Sequence, residues 1–500
     1  MERSEGRVTI EPPAAGPLTS WLFLRALGLV YVIAFASLLV QIDGLIGPRG
    51  VQPAADFLEA VHRAYGARAY WLVPTMAWFG AGTHGLQLIC GAGVFAAALV
   101  VFNRLTGTAL AVCWFLYLSL IGAGQLFLSF QWDLLLVEAG VLAMLLPLWP
   151  EALTWLFRWL LFRLVFLSGA VKLLSGDATW RDLTALTYHF QTQPLPNPIS
   201  WYMQQLPRPV LEATTLLTFV AELLVPFLFF WPRRARHAGA IGVVVFQLLI
   251  FAAGNYTFFN LLTIALAIWL LDDEFLDRRL PAIVVRCAGA PRIAPRPDWV
   301  RAAVAVPVAV LVTMSTAGLC RTFGGRAPDA IEAVVETLEP LHLTSGYGLF
   351  AVMTTTRPEI VFEGSGNGVT WEPYEFRYKP GDLRRPPPWV APYHPRLDWQ
   401  LWFAALGDPT TDAWVVTLAR RLLEGSPPVL GLLDRAALIG APPKYVRAIL
   451  YEYRFTDWTT ARATGCWWSR QPVGPYLPPL VLEDGVLRRA DLSNAGVLAP

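Results

Sequence analysis

WEPYEFRYKPGDLRRPPPWVAPYHPRLDWQLWFAA, residues 371–405, breaks with the apolar chain before it and decides how the fold divides. Its first part alternates. Tyr374, Phe376 and Tyr378 fall on one side and Glu375, Arg377 and Lys379 on the other, the period of a half-buried strand. The turn residues Ser365-Gly-Asn-Gly368 separate it from a second strand pattern at Glu359–Glu363, so the two predict a hairpin. Pro380-Gly381 ends the strand, and Pro386–Pro388 force an extended, polyproline-like crossing. Asp398 is placed to cap a short aromatic helix beginning at Trp399. The stretch therefore predicts a compact soluble module. Two roles stay open for Tyr374, Arg377, Lys379, Arg384, Arg385, Asp398 and Trp399: packing the module, or binding a partner.

The chain before it reads differently. Over 500 residues, 55% are hydrophobic and only 15% charged, and the mean hydropathy is +0.46. That balance belongs to a polytopic α-helical membrane protein with a soluble part. A net charge of +2, with no basic run, argues against a nucleic-acid partner. Apolar stretches at Trp21–Gln41, His84–Phe102, Gly107–Ile121, Asp133–Trp149, Thr154–Leu174, Leu211–Trp231, Ala238–Ala253, Phe258–Leu271 and Ala302–Leu319 predict about nine transmembrane helices. An amphipathic segment is expected around Ala54–Tyr70. Arg104, Arg158, Arg233, Arg234, Arg236 and the arginines of 278–301 then share one side. Positive residues mark the cytoplasmic side, which places everything after residue 320 outside.

The expected division is a disordered 1–18, a transmembrane domain over 19–322 and an extracytoplasmic or luminal α+β domain over 323–500. In the last, Thr410–Glu424 and Pro428–Leu438 read as helices, and Lys444–Tyr453 and Ala461–Trp468 as strands of a β-sandwich-like sheet. The five cysteines are isolated, and pairing of Cys320 with Cys466 is left open.

Chemistry concentrates at RLVFLSGAVKLLSGDATWRDLTALTYHFQTQ, residues 163–193. Lys172 closes an apolar helix. It can snorkel to the interface, or be desolvated and serve as a base or anion site. Asp177, Trp180, Asp182 and His189 follow and could complete a polar pocket, with Lys172, His189 and Asp177 as the candidate catalytic set and Trp180 a candidate binding residue. Glu138 and Glu222 sit within apolar segments, where a carboxylate must be paired, protonated or facing a cavity. Arg163 is an available partner for one of them. No nucleotide loop, hydrolase or zinc motif is present, and the histidines have no metal spacing, so no cofactor or metal is implied.

The run EPYEFRYKPGDLRRPP, followed by APYHPRLDWQLWFAAL, resembles the signature of the lipase maturation factors. The resemblance continues through Trp467-Trp468 and Pro472–Pro479, and back through Gln131–Glu138, Leu167–Thr192 and Gly254–Leu262. It implies an integral membrane protein that helps secreted client proteins, lipases above all, to fold or assemble. The setting would be the endoplasmic reticulum membrane in a eukaryote, or the inner membrane in a bacterium. Tyr378 stands where vertebrate members often carry Cys. The stretch around Lys172 also resembles the vitamin-K-dependent gamma-carboxylases, in which one of two adjacent lysines is the active-site base. Here Lys172 matches the first and Leu173 occupies the second position. The resemblances imply a non-enzymatic maturation factor in contact with membrane lipid, and alternatively a carboxylase-like membrane enzyme with Lys172 as base.

Overall fold

The computed structural model describes residues 16–288, 297–408, 412–435 and 441–492. Of the terminus expected to be disordered, 1–15 lies outside them. The first helix already starts at Pro17, whose fixed φ and missing N–H suit a first helical turn.

Among the described residues, six helices are long and apolar enough to cross a membrane: Pro17–Leu39, Thr83–Val101, Thr106–Leu128, Arg208–Phe230, Arg233–Ala253 and Asp298–Thr322. The other three expected spans form helices of a different kind. Gln131–Leu145 has 15 residues, which at 1.5 Å each falls short of a hydrocarbon core of about 30 Å, and it carries Asp133 and Glu138. Pro150–Leu174 has the length, 25 residues, but includes Glu151, Arg158, Arg163 and Lys172. Phe259–Ala267 is shorter still and ends in a 3-10 turn, Ile268–Leu270. These three are largely buried inside the bundle, and apart from the exposed Glu151 their charges are buried with them, so lipid does not solvate them. Protein groups must do so instead.

One helix changes pitch where it matters. Pro226 has no N–H to offer, and the turn before it, Val220–Leu224, widens to π geometry, with Val225 N–H bonding to Val220 O. Glu222 lies on that wide turn. The amphipathic segment is a helix at Ala54–Tyr65 followed by short turns to Leu72, with Tyr65, Tyr70 and Trp71 exposed.

The C-terminal part is built on a five-stranded antiparallel sheet. Its strands are β1 (Pro358–Ser365), β2 (Glu372–Pro373), β5 (Tyr445–Phe455), β6 (Trp468–Glu483) and β7 (Val486–Arg489), in the order β2-β1-β5-β6-β7. A two-stranded ribbon joins β3 (Glu375–Phe376) to β4 (Leu433–Arg435). The expected hairpin is β1 with β2. Ser365 Oγ accepts from the N–H groups of Asn367 and Gly368, and Gly368 takes φ +77°, which a glycine adopts without strain. The alternating run after it pairs only as the short pieces β2 and β3. The helix read at Thr410–Glu424 is Ala413–Leu423.

Three expectations fail locally. Pro428–Leu438 is a single turn at Pro427–Leu430 followed by β4, while 436–440 lies outside the described residues. Ala461–Trp468 is the end of a helix, Trp458–Thr464, capped by Asp457, whose side chain accepts from Thr460 N–H; β6 begins only at Trp468. The aromatic helix starts at Arg396, so Asp398 sits inside its first turn and is not its cap.

Candidate functional site

Lys172 neither snorkels nor stands free. Its side chain is buried, and Nζ donates to Glu222 (2.9 Å to Oε2), to Ser168 O at 2.9 Å and to Leu349 O at 3.1 Å. What lets the two helices approach is Gly169. A Cβ there would meet Glu222 Cβ and Leu223 Cδ2 at 2.8 Å. Every polar neighbour of Nζ is a protein oxygen, so the amine is held as half of a buried ion pair. The Trp180 ring lies 5.2 Å from Nζ, within cation–π range, while its indole N–H donates to Phe350 O at 3.0 Å.

Lys172, Trp180, Glu222 and His189 line one cavity of about 310 Å³. The predicted pocket is thus partly assembled. Asp177 is not among its walls. It caps the turn Ala178–Arg181 and accepts from Met353 N–H at 2.9 Å, tying that turn to the C-terminal part. Asp182 is exposed. His189 is half-buried in the cavity wall, and burial, then the Lys172 charge, push its pKa down to about 4, so the imidazole is neutral.

The larger polar construction is the seam between the bundle and the C-terminal part. Glu138 pairs with Arg163 and also accepts from Tyr347 Oη at 2.6 Å and Ser345 N–H at 3.1 Å. Asp133 takes both arms of Arg396, at 2.7 and 2.8 Å. Glu359 holds Arg357 and Lys379, and Arg357 also donates to Gln191 O and Pro194 O in the bundle's loop. Asn255 donates to Pro388 O and accepts from Val390 and Ala391 N–H, so the Asn255-Tyr-Thr257 sequon is buried in this seam. Gln41 donates to His394 O and accepts from Arg396 N–H. Each carboxylate buried in the bundle is answered by a cation, as the cost of an unpaired buried charge requires.

The 371–405 stretch is therefore mostly seam and core. Tyr374, Lys379, Asp398 and Trp399 are buried, and Asp398 Oδ1 accepts from the N–H groups of Tyr378 and Lys379, both at 3.0 Å. Burial raises its pKa against those two donors. Arg377 and Arg384 are exposed, and Arg385 is half-buried beside Glu375 and Asp434. Cys320 and Cys466 are both free. The sequence pointed to Glu138 and Glu222 as needing partners, and it offered Arg163. It did not show that Arg396, Tyr347 and Lys172 would complete the set, because those matches join positions far apart in the chain.

Two family models match the chain: the lipase maturation factor transmembrane domain over residues 18–278, and the lipase maturation factor C-terminal domain over residues 343–478. The chain is 35% identical to lipase maturation factor 2 of Homo sapiens, over 95% of its own length and 84% of that protein. It is 33% identical to lipase maturation factor 1 of Bos taurus, over 93% and 90% respectively. It is 34% identical to lipase maturation factor 1 of Mus musculus, over 93% and 88%. No solved structure matches it.

Proposed function

The chain belongs to the lipase maturation factor family, and from that premise we propose that it is a membrane-embedded factor assisting the folding or assembly of secreted proteins such as lipases. The observation that carries this reading is the coverage. The similarity runs through the membrane helices and the C-terminal domain alike, over nine tenths of this chain. The domain division at about residues 19–322 and 323–500 belongs to the same proposal.

So does the topology: nine crossings, with the amino terminus in the cytoplasm and the C-terminal domain outside, in the periplasm of a bacterium or the lumen of the endoplasmic reticulum. Two opposite polar ends support it. At one end Asp273 accepts from Leu18 and Thr19 N–H, Arg233 pairs with Asp272, and Arg158 and Arg236 donate to Trp269 O and Leu270 O. That brings together the starts of three helices and the end of a fourth, with the basic residues expected of a cytoplasmic face. At the other end Gln41, Asp133, Lys172 and Asn255 all reach residues 349–396. The three interior helices complete the crossings inside the bundle, where neighbouring helices shelter the two that are shorter than the hydrocarbon core and protein groups match their charges.

Client contact then falls on the exposed arginines of the signature, Arg377 and Arg384, with the partly exposed Arg385, and not on the buried Tyr374, Lys379, Asp398 and Trp399. The test is co-purification of a newly made secreted lipase with the tagged full-length chain. Arg377→Glu with Arg384→Glu should lower the recovered lipase several-fold at unchanged chain level. Recovery equal to the wild type would remove these residues from the client surface.

A further inference from the structure

The cavity beside Lys172 has a polar end and an apolar flank, and its flank reaches the outer surface of the bundle. Leu217 and Leu249 both line it and are 63% exposed, on two helices apolar enough to span a membrane. An entrance there faces acyl chains. At about 310 Å³ the space lies in the size range of small-ligand sites.

The polar end has a defined hydrogen-bonding deficit. Gln193 Nε2 has three acceptors within reach of its two protons, Phe190 O, Ser200 Oγ and Ala253 O, which fixes its amide so that Oε1 is the acceptor for Tyr256 Oη at 2.8 Å. The tyrosine has one proton and spends it there. His189 Nε2, 3.0 Å from the same hydroxyl, must therefore be the donor. The neutral imidazole then carries its lone pair on Nδ1, and Nδ1 is buried without a partner. A group that fills this deficit has to donate a hydrogen bond. It also has to be uncharged, because the one cation of the polar end, Lys172, is already matched by Glu222.

We propose that this cavity binds a neutral membrane lipid bearing a free hydroxyl, a monoacylglycerol or diacylglycerol in type, with the hydroxyl donated to His189 Nδ1 and an acyl chain leaving past Leu217 and Leu249. The inference does not rest on the maturation reading, and either can fail without the other.

The test uses the full chain in phosphatidylcholine nanodiscs and a monoacylglycerol with a diazirine in its acyl chain. Photolabelling should saturate and fall on the helices at 208–230 and 233–253. Unlabelled monoacylglycerol and a long-chain alcohol should compete. The corresponding methyl ether, a fatty-acid anion and lysophosphatidic acid should each compete at least tenfold less well. His189→Phe should abolish the preference for alcohol over ether. Labelling that does not saturate, or that falls elsewhere, overturns the proposal. So does equal competition by alcohol and ether in the unmodified chain, a comparison that needs no variant to fold.

Discussion

Arg396 meets Asp133 as a two-armed pair, Nη2 at 2.7 Å from Oδ1 and Nη1 at 2.8 Å from Oδ2, with both side chains wholly buried. The arginine opens the helix Arg396–Leu406 of the C-terminal module, and the carboxylate lies in the first turn of the bundle helix Gln131–Leu145. Tyr117 Oη completes the shell of the carboxylate, and Phe127 O accepts from the same guanidinium. This is the best-dressed charge pair in the seam, and it joins residues 263 positions apart.

Removing one member leaves the other buried and unmatched, which costs about 3–5 kcal/mol. Arg396→Ala should therefore lower the detergent-phase melting temperature sharply. The double variant Arg396→Met with Asp133→Leu should recover most of the loss. Thermal unfolding of the single and double variants measures the coupling, and additive losses would show that the pair does not hold the seam.

Lys172 gives a sharper separation of structure from chemistry. Lys172→Ala strands Glu222 and should destabilise by about 3 kcal/mol or more, whereas Lys172→Ala with Glu222→Ala removes both charges and should be milder than the single change. Client maturation by the double variant, at matched membrane levels, should follow its stability. Normal stability with lost maturation would return Lys172 to a chemical role.

Gly169→Val tests the approach that brings those two together. The added atoms meet Glu222 Cβ, close to the backbone and unable to swing away. Overpacking of this kind costs about 1–3 kcal/mol. The variant should lose stability and photolabelling of the cavity together. An unaffected melting temperature would mean that the helices do not pack this closely.

How much of this was legible in the sequence depended on the range of the interaction. The apolar runs, the turn at Ser365–Gly368 and the helix at Ala413–Leu423 are local, and their residues state them directly. Asp398 misled for a local reason. It has the right chemistry for a cap, but Tyr378 and Lys379 N–H use it, from the bend after β3 that lies 20 and 19 positions away in the chain. Alternation in 374–379 likewise suggested a longer strand than β3 supplies: only Glu375 and Phe376 pair there, with a register irregularity between them, and Lys379 is buried against Glu359. The helices at 131–145 and 150–174 read as ordinary spans by hydropathy, yet they carry the charges that the C-terminal module answers.

Acid should weaken the molecule through His189. The imidazole takes its proton near pH 6.5 when unfolded and only near pH 4 when folded, so between these values the unfolded chain binds more protons. Stability from this site is complete above pH 6.5 and falls as the pH drops towards 4, by about 3 kcal/mol in total. His189→Phe should flatten that part of the melting-temperature profile. A wild-type profile with no slope between pH 6.5 and 4 would contradict the buried neutral imidazole.

The proposed sidedness is open to labelling. With the exposed or partly exposed Cys287, Cys320 and Cys466 replaced by serine, a cysteine at Thr370 should react with an impermeant thiol reagent added from outside, and one at Arg234 should not. The opposite pattern would invert the topology.

The most direct measurement is the specific activity of a secreted lipase, per unit of lipase protein, in cells that lack maturation factors of their own and either carry or lack this chain. A membrane factor that brings such clients to their assembled form should raise the specific activity several-fold, and the Arg396→Ala chain should not. Equal specific activity with and without the chain, with the chain present in the membrane at normal levels, would contradict the account.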